Sequence, residues 1–324
     1  MRVWLRWVTL AALAAIGMSS PAAAQTYPTK PIKIIVAFAA GGPADVLARV
    51  VGQRLTTILG QPIIVENRPG ASGTIGARAA AEAEPDGYTL LLGNTSTLVI
   101  APAVYRNVNY DAVNGFAPIA LLGTTSNLLV VHPSFPAKSV AEFVAHAKAN
   151  PGKLNYSSPG TGTPGHLIAE TFKQRAGIEI VHVPYKSGGQ AVGEVVGGQV
   201  QMAFENPTVT LPLHQSGRLR ALATTGQTRN PQVPGAPTMI ESGYPDFVTV
   251  AFTGVVAPAG TPASIVTRLN AAINESLTSS EVQATFGKLA VEQRVGSAAD
   301  FAAFLARERE RWGAIIKAAG VKID

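Results

Sequence analysis

Apolar positions along the chain follow two alternating rhythms. Residues 32–38 (IKIIVAF) form an unbroken, largely β-branched run, which predicts a strand buried on both faces. The next stretch, AAGGPADVLARVVGQRLTTILG, sets Val46, Leu47, Val50, Val51, Leu55 and Ile58 on one helical stripe. Gly41 and Gly42 make its entry turn, and Pro43 takes the first helical position. The unit then repeats with a strand at 62–67 (PIIVEN), a glycine turn (RPGASG), a helix (TIGARAAAEAE) and a third strand at 88–94 (YTLLLGN).

Residues 116–132 (FAPIALLGTTSNLLVVH) are too long for one ordinary strand and soften at 123–126, which predicts a crossing into a second lobe. A second α/β series follows. It comprises a helix opened by Ser139 and Glu142 as a capping box, the strands KLNYSS, IEIVHVPY, VQMAFEN and LRALATTG, and the helix GGQAVGEVVGGQ. Residues 247–258 (FVTVAFTGVVAP) predict the return crossing. Thr261 with Pro262, and Ser297 with Asp300, open two closing amphipathic helices. The expected architecture is α/β, with two lobes, two crossings and a ligand cleft between the lobes. The first lobe takes 25–124 and 251–324, the second 125–250.

The first 24 residues read differently. Arg2 and Arg6 precede the apolar run 8–18, and small residues at Ala22 and Ala24 suit cleavage after Ala24, so 1–24 is expected to be an export signal and the mature chain periplasmic. Without these two arginines the 26 basic residues become 24 against 20 acidic ones, a balance of +4. With no basic run, nucleic acid is not the expected partner, whereas a small anion is compatible. The chain has no cysteine, which excludes disulfides, thiolate chemistry and cysteine-ligated metals.

The segment NYSSPGTGTPGHLIAE (155–170) contains Gly160, Gly162 and Gly165 as G-x-G-x-x-G between an expected strand and helix. A dinucleotide site also requires an acid at the far end of the next strand. Glu179 stands instead at its beginning, and Tyr185 and Lys186 occupy the far end. The alternative is a carboxylate held at a helix N-terminus, with Thr163 as N-cap, Pro164 first in the helix, and the hydroxyls of Ser158, Thr161 and Thr163 nearby. His166 reads equally as a further donor there and as a surface or packing histidine. The turn FAAGGPAD repeats the device in the first lobe, where Asp45 reads most simply as a helix cap.

Six segments resemble one known family, in its order and spacing over essentially the whole mature chain. They are YPTKPIKIIVAFAAGGPADVLAR, VENRPGASGTIGA, PDGYTLLLGN, LNYSSPGTGTPGHLIAE, VPYKSGGQAV and GQVQMAFEN. The family is that of the extracytoplasmic receptors of tripartite tricarboxylate transporters, the Bug-type receptors. The resemblance implies a periplasmic-binding-protein-like fold (type II-like) that takes a small organic carboxylate to a membrane permease, with no cofactor, and a monomer is expected. It also implies ligand contacts from Phe38, Ala40, Gly41, Gly42 and Asp45, with Thr95 and Ser96 as weaker candidates. From the second lobe it implies Ser158, Gly160, Thr161, Gly162, Thr163, His166, Tyr185, Lys186 and Asn206. Ala37, Glu205–Asn206 and Ser187 depart from the family's usual proline, Asp-Asn and glycine.

An exported enzyme is the competing class. There is no G-x-S-x-G elbow and no H-E-x-x-H or H-x-H pair, and the five histidines are scattered. His132 and His182 fall on expected strands, where core or surface roles outweigh ligation. Tyr185 with Lys186 as an acid–base pair is equally explained by a tyrosine that stacks on a ligand.

Overall fold

A computed structural model describes residues 27–105 and 108–320. The expected export signal lies outside the described residues.

Two mixed sheets form the two lobes. The first has six strands in the order β11-β4-β10-β3-β1-β2. These are β1 (Ile32–Val36), β2 (Ile63–Asn67), β3 (Thr89–Asn94), β4 (Phe116–Ser126), β10 (Val250–Pro258) and β11 (Glu292–Gln293). β1 runs parallel to β2 and β3, and β10 inserts antiparallel between β3 and β4. The second sheet, β7-β6-β8-β5-β9, uses β5 (Leu128–Val131), β6 (Leu154–Ser158), β7 (Ile180–Pro184), β8 (Met202–Glu205) and β9 (Arg220–Thr224). Here β6 is parallel to β7 and β8, while β5 is antiparallel to β8 and β9.

Period-two alternation decides what each strand meets. On β1, Ile32, Ile34 and Val36 face Leu47, Val51 and Leu55 of α1 (Pro43–Leu59) and Leu269 and Ile273 of α8 (Ala263–Leu277). Ile35 and Ala37 face the opposite way, into a cluster that includes Leu98, Phe301 and Trp312. On β8, Met202 and Phe204 join that same cluster, whereas Ala203 packs against Val192 and Val195 on the other face. The cluster that contains Trp312 therefore runs through both lobes.

The C-terminal helix α10 (Ala298–Ala319) is the reason. Its start is fixed by the reciprocal capping box of Ser297 and Asp300. Its far end touches α5 (Pro164–Ala176) in the second lobe, where Gln174 Nε2 donates to the Ala318 carbonyl over 2.7 Å. At the other expected capping box, Ser139 accepts from the Glu142 amide, but Glu142 reaches back to the Lys138 amide instead. The helix opened by Thr261 and Pro262 begins at Ala263, because the Thr261 hydroxyl donates backward to the Pro258 carbonyl.

The long run at 116–132 divides at Asn127: β4 stays in the first sheet to Ser126, and β5 starts the second at Leu128. On the return path Thr225 and Thr249 lie alongside. Asn127 and Thr225 exchange backbone-directed hydrogen bonds of 2.9 Å, and the Thr225 hydroxyl donates to the Thr249 carbonyl over 2.8 Å. Both crossings are thus tied to each other at one buried point.

Candidate functional site

In each lobe the parallel strands end in glycine-rich turns that lead into helices. Both principal helices begin with proline at the first position, and neither has a side chain capping its N-terminus. The helices at Ser139, Ser187, Asn206, Ser279 and Ser297 are side-chain capped; those at Thr74 and Ala263 also start without a cap, but only the two glycine turns join an open start to proline at the first helical position. A helix start without a cap leaves N–H groups free and carries partial positive charge, the physical basis for holding an anion.

In the second lobe the turn after β6 is braced from within. Ser158 Oγ donates to the Gly160 carbonyl (3.1 Å), accepts from the Gly160 amide (3.2 Å) and lies 2.7 Å from His182 Nε2. Thr163 Oγ1 also donates to the Gly160 carbonyl (2.7 Å), so it holds the turn instead of capping the helix. The Gly162 amide donates to His166 Nδ1 over 3.1 Å. Among the described residues no protein acceptor meets the N–H groups of Thr161, Gly165 and His166. Thr161 is exposed, and its hydroxyl is directed into none of these bonds. Gly160 and Gly162 have φ of 133° and 77°, which explains why glycine stands at both.

The histidines are positioned by packing. His166 is 5 % exposed and stacks on His182 at 4.1 Å between centroids, with Tyr156 stacked beyond at 4.8 Å. Burial lowers His166, and burial together with the neighbouring His166 lowers His182 to about 4. Both rings are neutral near pH 7, and His166 can accept the Gly162 N–H only in that state. His182 is a residue to which sequence reasoning gave only a core or surface role. The available signal was its place on β7 two residues after buried Ile180, on the strand's inner face.

The first-lobe turn is built with different chemistry. Asp45 is buried, and its carboxylate accepts from the Gly41 amide (2.9 Å), Arg49 Nε (2.9 Å) and Asn67 Nδ2 (3.0 Å). The Arg49 bond, opposed by burial and assisted by Gly41 and Asn67, holds that carboxyl below its ordinary range. Asn67 also donates to the Phe38 carbonyl at 3.1 Å. Asp45 therefore shapes the turn from behind, while the N–H groups of Ala40, Ala44 and Asp45 meet no acceptor among the described residues. Phe38 packs beside Gly73, where a Cβ would stand 3.2 Å from its ring and 2.6 Å from Thr97. The 70–73 turn after β2 is a wall of the site that the candidate residues omitted.

The remaining candidates border the crossing strands. Thr95 is buried, and its hydroxyl accepts the Phe252 amide of β10 at 2.8 Å; Ser96 is half-buried on a π-helical turn (Ser96–Ile100). Phe252 pairs with Thr124 on β4. On the other side of β4, Asn206 Nδ2 donates to Thr125 Oγ1 over 3.3 Å, while Asn206 Oδ1 caps α7 (Pro207–Gln215) at the Thr208 amide. The strand ends of both lobes thus converge on β4 and β10. Tyr185 donates its amide to the Ser158 carbonyl, and Lys186 is exposed in the turn before α6 (Gly188–Val196). No carboxylate stands at the far end of β7, where a dinucleotide ribose would need one.

A cavity of about 310 Å³ lies elsewhere, between Thr124, Val250, Arg294 and Phe301.

Known proteins share this arrangement. The profile of the tripartite tricarboxylate transporter family receptor matches residues 47–321. Protein BugT of Bordetella pertussis is 37 % identical over 312 residues, 96 % of each chain. An R. palustris protein, Rpa4515, solved with adipate, is 34 % identical with a TM-score of 0.85 over 91 % of this chain and 99 % of that one. MatC from Rhodopseudomonas palustris, solved with bound malate, is 32 % identical with a TM-score of 0.81 over 90 % and 100 %. With its uncapped, proline-led helix starts on two lobes and this likeness along nearly its whole length, the chain belongs to the receptor family of the tripartite tricarboxylate transporters.

Proposed function

We propose that this receptor captures a small dicarboxylate in the periplasm, between its lobes, and presents it to a membrane permease. The observation that carries the reading is the pair of uncapped helix N-termini, one per lobe, each with proline first and open N–H groups at the next two positions. Neither turn offers a free cation. Asp45 takes up Arg49, and the second-lobe turn is built of glycines, hydroxyls and neutral histidines. Four or five charge-assisted hydrogen bonds of about 1.5–3 kcal/mol each would exceed an association cost of at least ~4 kcal/mol and reach micromolar affinity, about −8 kcal/mol. Two separated cradles suit a ligand with a carboxylate at each end, and relatives solved with adipate and malate lend weight to that class.

The moving units in this reading are 25–124 with 251–324, and 125–250, pivoting where Asn127 meets Thr225 and Thr249. Residues 1–24 direct export. The protein acts as a monomer.

Thermal unfolding against C4–C6 dicarboxylates, citrate, acidic amino acids, aromatic carboxylates and NAD tests the assignment. A ligand at 100 times its dissociation constant adds about 2.7 kcal/mol of stability. Stabilisation by a dicarboxylate is the expected result; a response to NAD alone would sink the reading. Thr161→Val refines the site. It should weaken binding of the responding carboxylate about tenfold in calorimetry, the loss of one hydrogen bond to a charged group, with the melting temperature unchanged. Thr163→Val, by contrast, removes the 2.7 Å brace to Gly160 and should lower the melting temperature as well.

A further inference from the structure

Glu205 is a carboxylic acid buried at the heart of the second-lobe strand ends without a charge to balance it. It closes β8 on the face turned toward α6 and is 7 % exposed. Oε1 accepts the Asn206 amide at 2.8 Å, while Oε2 is buried with no partner among the described residues. It fits beneath the start of α6 because residue 188 is glycine. A Cβ there would stand 3.0 Å from the Glu205 carboxyl carbon and 3.1 Å from Oε2.

Among the described residues the surroundings carry no cation that could neutralise it. β5 and β4 hold no ionisable side chain, and β9 has only Arg220, at its far end and bound to the carbonyls of Pro133, Phe135 and Ala137. α6 contributes Glu194 in its second turn, α7 contributes His214 in its last, and β6 contributes Tyr156, which faces the opposite side. His166 begins α5, His182 lies on β7, and Lys186 with Tyr185 stands in the turn before α6. None of these acts on the carboxyl. Burial raises it to about 7, and only the Asn206 amide works against that.

β6 and β8 are adjacent parallel strands, with Ser157 opposite Ala203, so the turn that starts at Ser158 opens beside the end that carries Glu205. Neighbouring strands lie about 4.8 Å apart. An anion in that turn is therefore one or two strand widths from Glu205.

We propose that Glu205 makes capture proton-linked: when a carboxylate settles in the second-lobe turn, Glu205 takes up a proton and stays neutral beside it. This rests on the carboxylate-receptor reading above. Two like charges at about 8 Å, with an effective dielectric of about 20, disfavour the doubly ionised state about thirtyfold. Affinity should therefore fall by about twentyfold from pH 6 to pH 9, most steeply between 7 and 8.5. Near pH 7.7, binding should draw about 0.7 proton from the buffer.

The test is calorimetric titration of the purified protein with adipate and with malate, in phosphate and in Tris, at several pH values, beside Glu205→Gln. The proposal expects a buffer-dependent heat equal to a fractional proton uptake in the parent. In Glu205→Gln it expects none, with an affinity that stays flat from pH 6 to 9. Binding with no proton uptake, or a pH dependence that survives in Glu205→Gln, overturns the proposal and leaves the receptor reading standing. No heat from either acid at any pH overturns both. A ¹³C titration of the Glu205 carboxyl in the parent, free and with the binding acid, needs no variant. The ligand must raise its midpoint, and an unmoved midpoint refutes the linkage.

Discussion

Gly165→Ala will destabilise the protein by about 3 kcal/mol and abolish carboxylate binding, the largest single-residue effect expected in the site. Gly165 is the second residue of α5, and a Cβ there would stand 2.5 Å from the Phe204 carbonyl oxygen. That oxygen belongs to the backbone of β8, so it cannot swing aside. The helix start must lift off the sheet, carrying the N–H groups of Gly165 and His166 away from the turn. The loss of His166 contact with Gly162 follows, because the 3.1 Å bond spans the same turn. Gly193→Ala is the matched control. It lies within α6 with nothing within 4 Å of the new Cβ, and helix propensity alone should stabilise the protein by about 0.5–1 kcal/mol. Urea unfolding of both variants, with calorimetry against the responding carboxylate, separates close packing from a general intolerance of alanine. Equal stability of the two would refute the close-contact argument.

Glu205→Gln should stabilise the free protein, by an amount that grows above about pH 4.5 and is nearly complete by pH 7. The carboxyl rises from an ordinary 4.5 to about 7 on burial, so the folded state keeps a proton that the unfolded state releases. Stability is full below about pH 4.5 and declines as pH climbs through 7. By pH 8 the ionised, unpaired group costs about 3 kcal/mol, the free-energy equivalent of that rise. The variant therefore gains about that much over the parent at pH 8 and nothing at pH 4. His182 acts in the opposite sense: lowered to about 4, it withdraws stability as pH falls from 6.5, and being half-buried it does so more weakly. The parent should show a shallow dependence over pH 4.5–6.5, and Glu205→Gln a clear rise. A pH profile of the unfolding free energy that is parallel in the two proteins would place Glu205 in contact with water.

Strand and helix order was legible because strands such as β1 and β3 advertise themselves by apolar runs and the helices by stripes and proline starts. The break at Asn127 was displaced from the expected soft centre because Gly123 and Thr124 pair with β10 and β11 and so stay in the first sheet. The π-helical turn at Ser96–Ile100 has no side-chain cap, and α7, although Asn206 caps it, has Pro212 inside and no strong apolar stripe. In the site, glycines and the proline after each turn were readable, since positive φ and open helix starts are local properties. What the hydroxyls do was not. Ser158 and Thr163 look like ligand donors in the sequence, yet tertiary geometry turns both onto the Gly160 carbonyl. His182 and Glu205 owe their roles to the register of β6 with β7 and β8, a long-range fact with no local signature.

The central place of β10 bears on the order in which the molecule can be finished. The second sheet is built from one unbroken stretch between residues 128 and 224, so it can close as soon as that stretch is free. The first sheet cannot. Its strands β1 to β4 are made early, but β3 and β4 have no direct pairing and wait for β10, which arrives only at residues 250–258. A chain threaded through a membrane from its N-terminus would hold the younger lobe complete and the older one open. During that interval the exposed edges of β3 and β4 are the surfaces that a chaperone must shield.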